Sequence, residues 1–252
     1  MERIKVAKHT NCVVFTISNP KAKNALDEMF FNDFAKALSE AENDNSVKGI
    51  IITGEDNIFS AGANLKLFQE GGGAAFAELV DIGRKYLDLL IHCHKTTIAA
   101  VNGICFGGGF ELALSCDFIY ASPKASFGLP EVKVGLFPGW GGTQLLSLRT
   151  GIAKAKHLIL TGNFVGAEEA LKIDIADKLC QENTLVNDAI NFIDEISVHS
   201  AKSLEKIKEL LNLRYTIPNV YEAMYREAKQ LKIQLEDEET KNTVLAFLNR
   251  KK

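Results

Sequence analysis

The chain has 252 residues, 46% of them hydrophobic and 24% charged, and carries a net charge of −3. That balance suits one large domain with ample core, or a core with a helical appendage, and it excludes bulk attraction to nucleic acid or to an anionic membrane surface. No apolar run approaches the roughly 18–20 residues of a membrane span.

The N-terminal residues Met1-Glu2-Arg3-Ile4-Lys5-Val6 alternate like a strand and hold no signal-peptide core. Five cysteines, at 12, 93, 105, 116 and 180, lie mostly in apolar segments. An odd number so placed predicts reduced thiols and a cytoplasmic address rather than a disulfide framework. Cys12–Ile17 reads as a strand ended by the turn pair Asn19-Pro20. Asn24 is the expected N-cap of the next helix, whose buried stripe is Leu26, Phe30, Phe34, Leu38 and Ala41. Gly49–Gly54 is a second buried strand, and Phe59-Ser60-Ala61-Gly62-Ala63-Asn64 leads from strand through glycine turn into helix. Gly71-Gly72-Gly73 invites a phosphate-loop reading. It lacks the Gly-Lys-Ser/Thr ending and a preceding buried strand, so a flap over a ligand is the better expectation. A helix is expected from Ala75 to about His92. His92-Cys93-His94 looks like a metal cluster, but helical neighbours one and two apart do not face the same way, so no metal site is expected.

The stretch Thr97–Thr143 concentrates the chemistry. Ile98-Ala99-Ala100-Val101 is a short buried strand broken by Asn102-Gly103, and Gly107-Gly108-Gly109 opens a helix running to Cys116. Glycines at a strand-to-helix junction let a ligand reach bare N–H groups at the positive end of the helix. Glu111 falls in the first helical turn, and Glu131 follows Pro130 in the turn-like Gly128-Leu129-Pro130-Glu131. Anion-binding amides beside two carboxylates make an acid–base site. Pro138-Gly139-Trp140-Gly141-Gly142-Thr143 can be read as a second anion loop. Beyond it, helices are expected at Ile152–Leu160 and Ala167–Ile173 and a short strand at Ala176–Cys180.

From Asn183 onward strands stop. Leu204, Ile207, Leu210 and Leu211 form one helical stripe and Val220, Met224, Ala228 and Leu231 another; Glu236–Glu239 precedes a last helix with Leu245, Phe247 and Leu248 on its apolar side. The expected organisation is a strand-rich core over residues 1–180 and a helical region over 181–252.

N-G-x-x-x-G-G-G-x-E-L-A-L-x-C-D at Asn102–Asp117, followed by F-G-L-P-E-V-K-V-G-L-F-P-G-W-G-G-T at Phe127–Thr143, resembles the enoyl-CoA hydratase (crotonase) family. The resemblance implies an α/β fold built as a spiral of ββα units, with C-terminal helices packing against a neighbouring subunit in trimers or hexamers. It implies hydration of 2-enoyl-CoA to 3-hydroxyacyl-CoA, a β-oxidation-type step in fatty-acid metabolism. Coenzyme A is then part of the acyl-CoA substrate, and no separate cofactor is implied.

Glu111 and Glu131 match the family's two catalytic glutamates, base and proton donor respectively. Ala63 and Gly108 match the positions whose N–H groups form the oxyanion hole. Asn64, Leu65 and Lys66 match the segment lining the thioester and pantetheine, with Asn64 where the family usually has Asp. Lys21-Ala22-Lys23-Asn24-Ala25 resembles the adenine-side loop, which makes Lys21, Ala22, Lys23 and Ala25 substrate-binding candidates. Lys21, Lys23 and Lys66 are the candidates for the coenzyme A phosphates. Gly107, Pro130, Gly139 and Trp140 complete the expected substrate-binding set, Trp140 beside the acyl pocket or a subunit contact. For Pro138–Thr143 the resemblance implies a structural bend, the reading preferred over an anion loop. Thr96-Thr97 stands in place of a family Pro, read as a structural change. The alternatives are a Δ3,Δ2-enoyl-CoA isomerase, which needs only the Glu131-type residue, and a dehydratase or decarboxylase acting on carrier-protein-bound acyl groups. A non-enzymatic RNA-binding or scaffold role finds no basic stripe.

Overall fold

The computed structural model describes residues 2–213, 219–235, 237, 238 and 240–242. The elements run β1 (Ile4–Lys8), β2 (Cys12–Ile17), α1 (Glu28–Asn43), β3 (Gly49–Gly54), β4 (Ile58–Ser60), α2 (Lys66–Ile91), β5 (Thr96–Val101), β6 (Ile104–Phe106), α3 (Gly108–Leu114), β7 (Phe118–Ala121) and β8 (Ser126–Gly128). They continue with α4 (Gly142–Thr150), α5 (Ile152–Thr161), β9 (Val165–Gly166), α6 (Ala167–Lys172), β10 (Lys178–Leu179), α7 (Leu185–Ile196), α8 (Ala201–Asn212) and α9 (Val220–Leu235).

From β3 to β8 consecutive strands alternate between two sheets. One has the order β1-β2-β3-β5-β7-β10, the other β4-β6-β8-β9. Each of the pairs β3–β4, β5–β6 and β7–β8 therefore gives one strand to each sheet before the chain turns away, the ββα spiral expected from the resemblance. In the larger sheet only β1–β2 is antiparallel. Its central strands β3 and β5 are buried on both faces, which is why they read as unbroken apolar runs. Ile50, Ile52, Ala99 and Val101 join the main core with α1, while Ile51, Ile98 and Ala100 face α7 through Leu185, Ala189 and Ile193. Gly49 lies so close to Ile193 that a methyl there would overlap it.

The smaller sheet positions the site. β4, β6 and β8 are parallel neighbours, so their C-terminal ends deliver Gly62-Ala63, Gly107-Gly108 and Pro130-Glu131 to one edge. Successive turns of the spiral thus place equivalent junctions side by side, and Gly62 meets Gly108, 46 positions on, without a long loop.

Several local expectations are corrected. The N-cap of α1 is Asp27, whose carboxylate accepts the Phe30 N–H at 2.9 Å. Asn24 is instead fully buried with φ +53. It accepts the Asn19 N–H at 2.8 Å and donates to the carbonyls of Glu55 and Ile58 at 3.2 and 2.6 Å. The helix expected after Asn64 begins at Lys66, and it runs on into the one expected from Ala75 as a single span, α2, kinked at Gly72 (φ 68, ψ −164), so the triple glycine joins two helical stretches. That helix ends at Ile91, which puts His92-Cys93-His94 in the turn to β5. Thr97 is buried, and its N–H and hydroxyl both donate to Asp117, at 2.7 and 2.9 Å, a structural lock at the start of the central strand.

The chain divides into two compact units, Met1–Ala201 and Lys202–Lys252. In the second, Lys202 pairs with Asp237 at 2.8 Å. The expected last helix with Leu245, Phe247 and Leu248 lies outside the described residues, as do Glu236 and Glu239. Among the described residues no helix is long and apolar enough to cross a membrane.

Candidate active site

A cavity of about 600 Å³ opens at the strand ends, and Ala63, Leu65, Gly107, Gly108, Glu111, Pro130, Glu131, Gly139 and Trp140 all line it. The structure therefore brings together nine of the residues singled out from sequence. Lys21, Ala22, Lys23, Ala25, Asn64 and Lys66 lie outside its wall.

The first junction is held from behind. Leu26 N–H donates to the Gly62 carbonyl at 2.8 Å, Asn64 N–H to Leu26 at 3.0 Å and Ala61 N–H to Lys23 at 3.0 Å. The Ser60 hydroxyl donates to the Asn24 carbonyl at 2.8 Å. The Lys21–Ala25 loop thus forms the backing of Gly62-Ala63, and buried Asn24 fixes its left-handed bend. Lys21 and Lys23 are exposed beyond it. Asn64 accepts the Lys66 N–H at 3.2 Å through its side-chain oxygen at the start of α2. An amide oxygen accepts this N–H as the carboxylate of an Asp would.

The second junction turns on Gly107, whose φ of +52 favours a residue without Cβ. Its N–H is tied to the Gly128 carbonyl at 2.9 Å, linking the β6 and β8 ends. A methyl on Gly107 would come within 3.3 Å of Glu131 Oε1. Among the described residues, the N–H groups of Ala63 and Gly108 have no acceptor in the protein. A methyl built on Gly62 would reach the Gly108 nitrogen at 3.0 Å, so the two junctions are in direct contact.

Glu111 is 2% exposed. Its Oε1 accepts the N–H of Trp140 at 2.7 Å and of Gly142 at 2.8 Å. Gly141, between them, has φ +105, so the bend closes around the carboxylate. The Pro138–Thr143 segment combines both of its sequence readings: it is a structural bend, and the anion it binds is the chain's own. Burial pushes the Glu111 carboxyl up to about 7; the two amides pull it down and nearby Glu131 pushes it up again. Burial also raises Glu131 above the ordinary carboxylate range. Among the described residues, Glu131 Oε2 is buried with no hydrogen-bond partner. Two elevated carboxyls on one cavity fit a pair in which one holds a proton near neutral pH.

Sequence reading missed much of the apolar wall: Phe76, Ala77 and Val80 from α2 and Leu136 and Phe137 after Glu131. The α2 residues recur at helical spacing, the same signal a core-facing stripe gives, so nothing in the pattern separates a cavity wall from packed interior. Among the described residues, no group of three or more His, Cys, Asp or Glu is arranged to hold a metal ion.

A family model described as Enoyl-CoA hydratase/isomerase matches residues 7–252. The chain is 34% identical to the mitochondrial enoyl-CoA hydratase of Pongo abelii, covering 98% of this chain and 84% of that one. It is 33% identical to the short-chain-enoyl-CoA hydratase of Clostridium acetobutylicum, covering 100% and 97%. The crystal structure of an enoyl-CoA hydratase from Bacillus anthracis superposes with a TM-score of 0.93 at 26% identity, over 98% of this chain and 96% of that one. Pseudomonas aeruginosa DspI gives a TM-score of 0.93 at 29% identity, over 99% and 95%.

Proposed function

The chain belongs to the enoyl-CoA hydratase/isomerase family, and from that premise we propose that it adds water to 2-enoyl-CoA thioesters to give 3-hydroxyacyl-CoA. The observation that carries the reading is one cavity bordered by two carboxyls, Glu111 and Glu131, and by Ala63 and Gly108, whose amides have no acceptor among the described residues.

The thioester oxygen accepts both amide hydrogens, which draws electron density from C3 and stabilises the enolate-like charge that develops as water adds. Losing one such donor typically costs about 3–4 kcal/mol of transition-state stabilisation. The Glu111 oxygen held by Trp140 and Gly142 is committed to the protein, so its other oxygen is left to orient water and take its proton. Glu131 lines the same cavity and delivers a proton to C2. The water oxygen bonds C3, the Glu131 proton ends on C2, and the proton lost by water returns the pair to its starting state through Glu111. One carboxyl charged and the other neutral is the ionisation state this cycle needs.

Isomerisation of a 3-enoyl thioester requires only one proton shuttle and would leave Glu111 without a task. Lys21, Lys23 and Lys66 are assigned to the phosphates of coenzyme A, with Ala22, Ala25 and Asn64 on the same side. The helices beyond Ala201 are assigned to contacts in a homotrimer or hexamer; Ile207, Leu211, Met224, Leu231 and Ile233 are exposed apolar residues on α8 and α9. Five buried cysteine thiols fit a reducing cytoplasmic setting, and a step in fatty-acid breakdown fits the reaction. Incubation with crotonyl-CoA, followed by loss of the conjugated thioester absorbance, tests the activity. Failure to consume it, with conversion of a 3-enoyl-CoA instead, would favour the isomerase.

A further inference from the structure

Trp140, the chain's single tryptophan, is 4% exposed and still forms part of the cavity wall. One edge of its indole lies against Gly108 and the opposite edge against Gly83 of α2, so closely that a methyl on either glycine would overlap the ring. Behind the indole stands the core: Phe31 meets it edge-on at 5.2 Å and 90°, and Phe31 in turn stacks on Tyr86 at 5.9 Å. The ring is therefore a clamped partition between cavity and interior. Among the described residues its Nε1–H is buried with no acceptor, so hydrogen bonding does not explain an indole at this position. Filling space does.

Gly108, whose amide is assigned to the thioester oxygen, abuts the indole, and Val80 of α2 lines the same cavity, so an acyl group held at Gly108 begins beside the ring. We propose that Trp140 sets the size of acyl group the site accepts, so that short linear 2-enoyl thioesters are preferred and the indole obstructs longer tails. The inference rests on the hydratase reading and names the substrate class for it. A rigid wall of this kind discriminates steeply, since one methylene against an apolar pocket wall is worth about 10–200-fold in specificity.

The test compares kcat/KM for crotonyl-CoA, 2-hexenoyl-CoA and 2-decenoyl-CoA in the full-length protein and in Trp140→Ala and Trp140→Phe. The native protein should favour crotonyl-CoA over 2-decenoyl-CoA by at least about tenfold. Trp140→Ala should raise the decenoyl-to-crotonyl ratio by at least about tenfold, with Trp140→Phe between the two. If Trp140→Ala fails to fold, Trp140→Phe keeps an aromatic ring between the glycines, and its ratio decides. A folded variant whose ratio equals that of the native protein overturns the proposal, as does native protein that hydrates both chain lengths equally well. Native protein that hydrates none of the three overturns the hydratase reading instead.

Discussion

Replacing Glu111 by Gln keeps an oxygen for the Trp140 and Gly142 amides but removes the titration, so it isolates the free energy stored in burying this carboxyl. Its folded value of about 7 stands against an ordinary 4.5. At about 1.4 kcal/mol per tenfold change in proton affinity, the difference amounts to about 3 kcal/mol. The sign follows from which state holds the proton. Between 4.5 and about 7 the folded protein keeps the Glu111 proton that the unfolded chain has released. The native protein should therefore lose stability as pH rises across that window, and level off above it. Glu131, also raised by burial, contributes with the same sign in both proteins and largely cancels in the comparison. Urea unfolding followed by Trp140 fluorescence, at a series of pH values from about 4.5 to 8, measures the difference directly. Glu111→Gln should gain about 3 kcal/mol relative to native protein over the series. Parallel stability curves would show that Glu111 is not held in a desolvated, proton-retaining site and would refute the reasoning.

Four further outcomes are expected. Glu131→Gln should nearly abolish hydration of crotonyl-CoA while binding persists, checked by kcat and by equilibrium titration with the substrate; native-like kcat would remove it from the proton path. Gly108→Ala forces a methyl into the Trp140 indole, which should displace the amide donor and lower kcat by about 10²–10³-fold, read by steady-state kinetics. Asn24→Ala removes three buried hydrogen bonds behind Ala63; it should cost about 2–3 kcal/mol in urea unfolding and lower kcat as well, since the amide it backs loses its support. A chain ending at Ala201 should sediment as a smaller species than the full-length protein if the later helices join subunits, and an unchanged sedimentation coefficient would contradict that assignment.

Much of the site was legible because its chemistry is carried by strong local patterns. Glycines at strand-to-helix junctions announce bare amides, and Glu111 and Glu131 stand at fixed offsets from Gly107-Gly108 and Pro130. The spiral itself was legible only through the family resemblance, because alternation of strands between two sheets leaves no trace in periodicity: β4, β6 and β8 are three residues each. Asn24 misled because Asn serves equally as a helix cap and as a left-handed residue bonding to distant carbonyls, and the choice is made by Glu55 and Ile58, more than 30 positions away. The triple glycine hid the continuity of α2, since three glycines argue against helix on propensity alone and split the span into two expected helices. The Trp140 partition was equally invisible, as its neighbours Gly83 and Phe31 come from two separate helices.

The account rests on one water molecule shared by two carboxyls on the same side of the substrate, and its geometry has a stereochemical signature. Hydrating crotonyl-CoA in deuterium oxide and determining the relative configuration at C2 and C3 of the product reads that signature directly. Hydroxyl and deuterium delivered from one face, in a single syn diastereomer, is the result this arrangement of Glu111 and Glu131 predicts. Anti addition, or an even mixture of diastereomers from the enzymatic reaction, would contradict it.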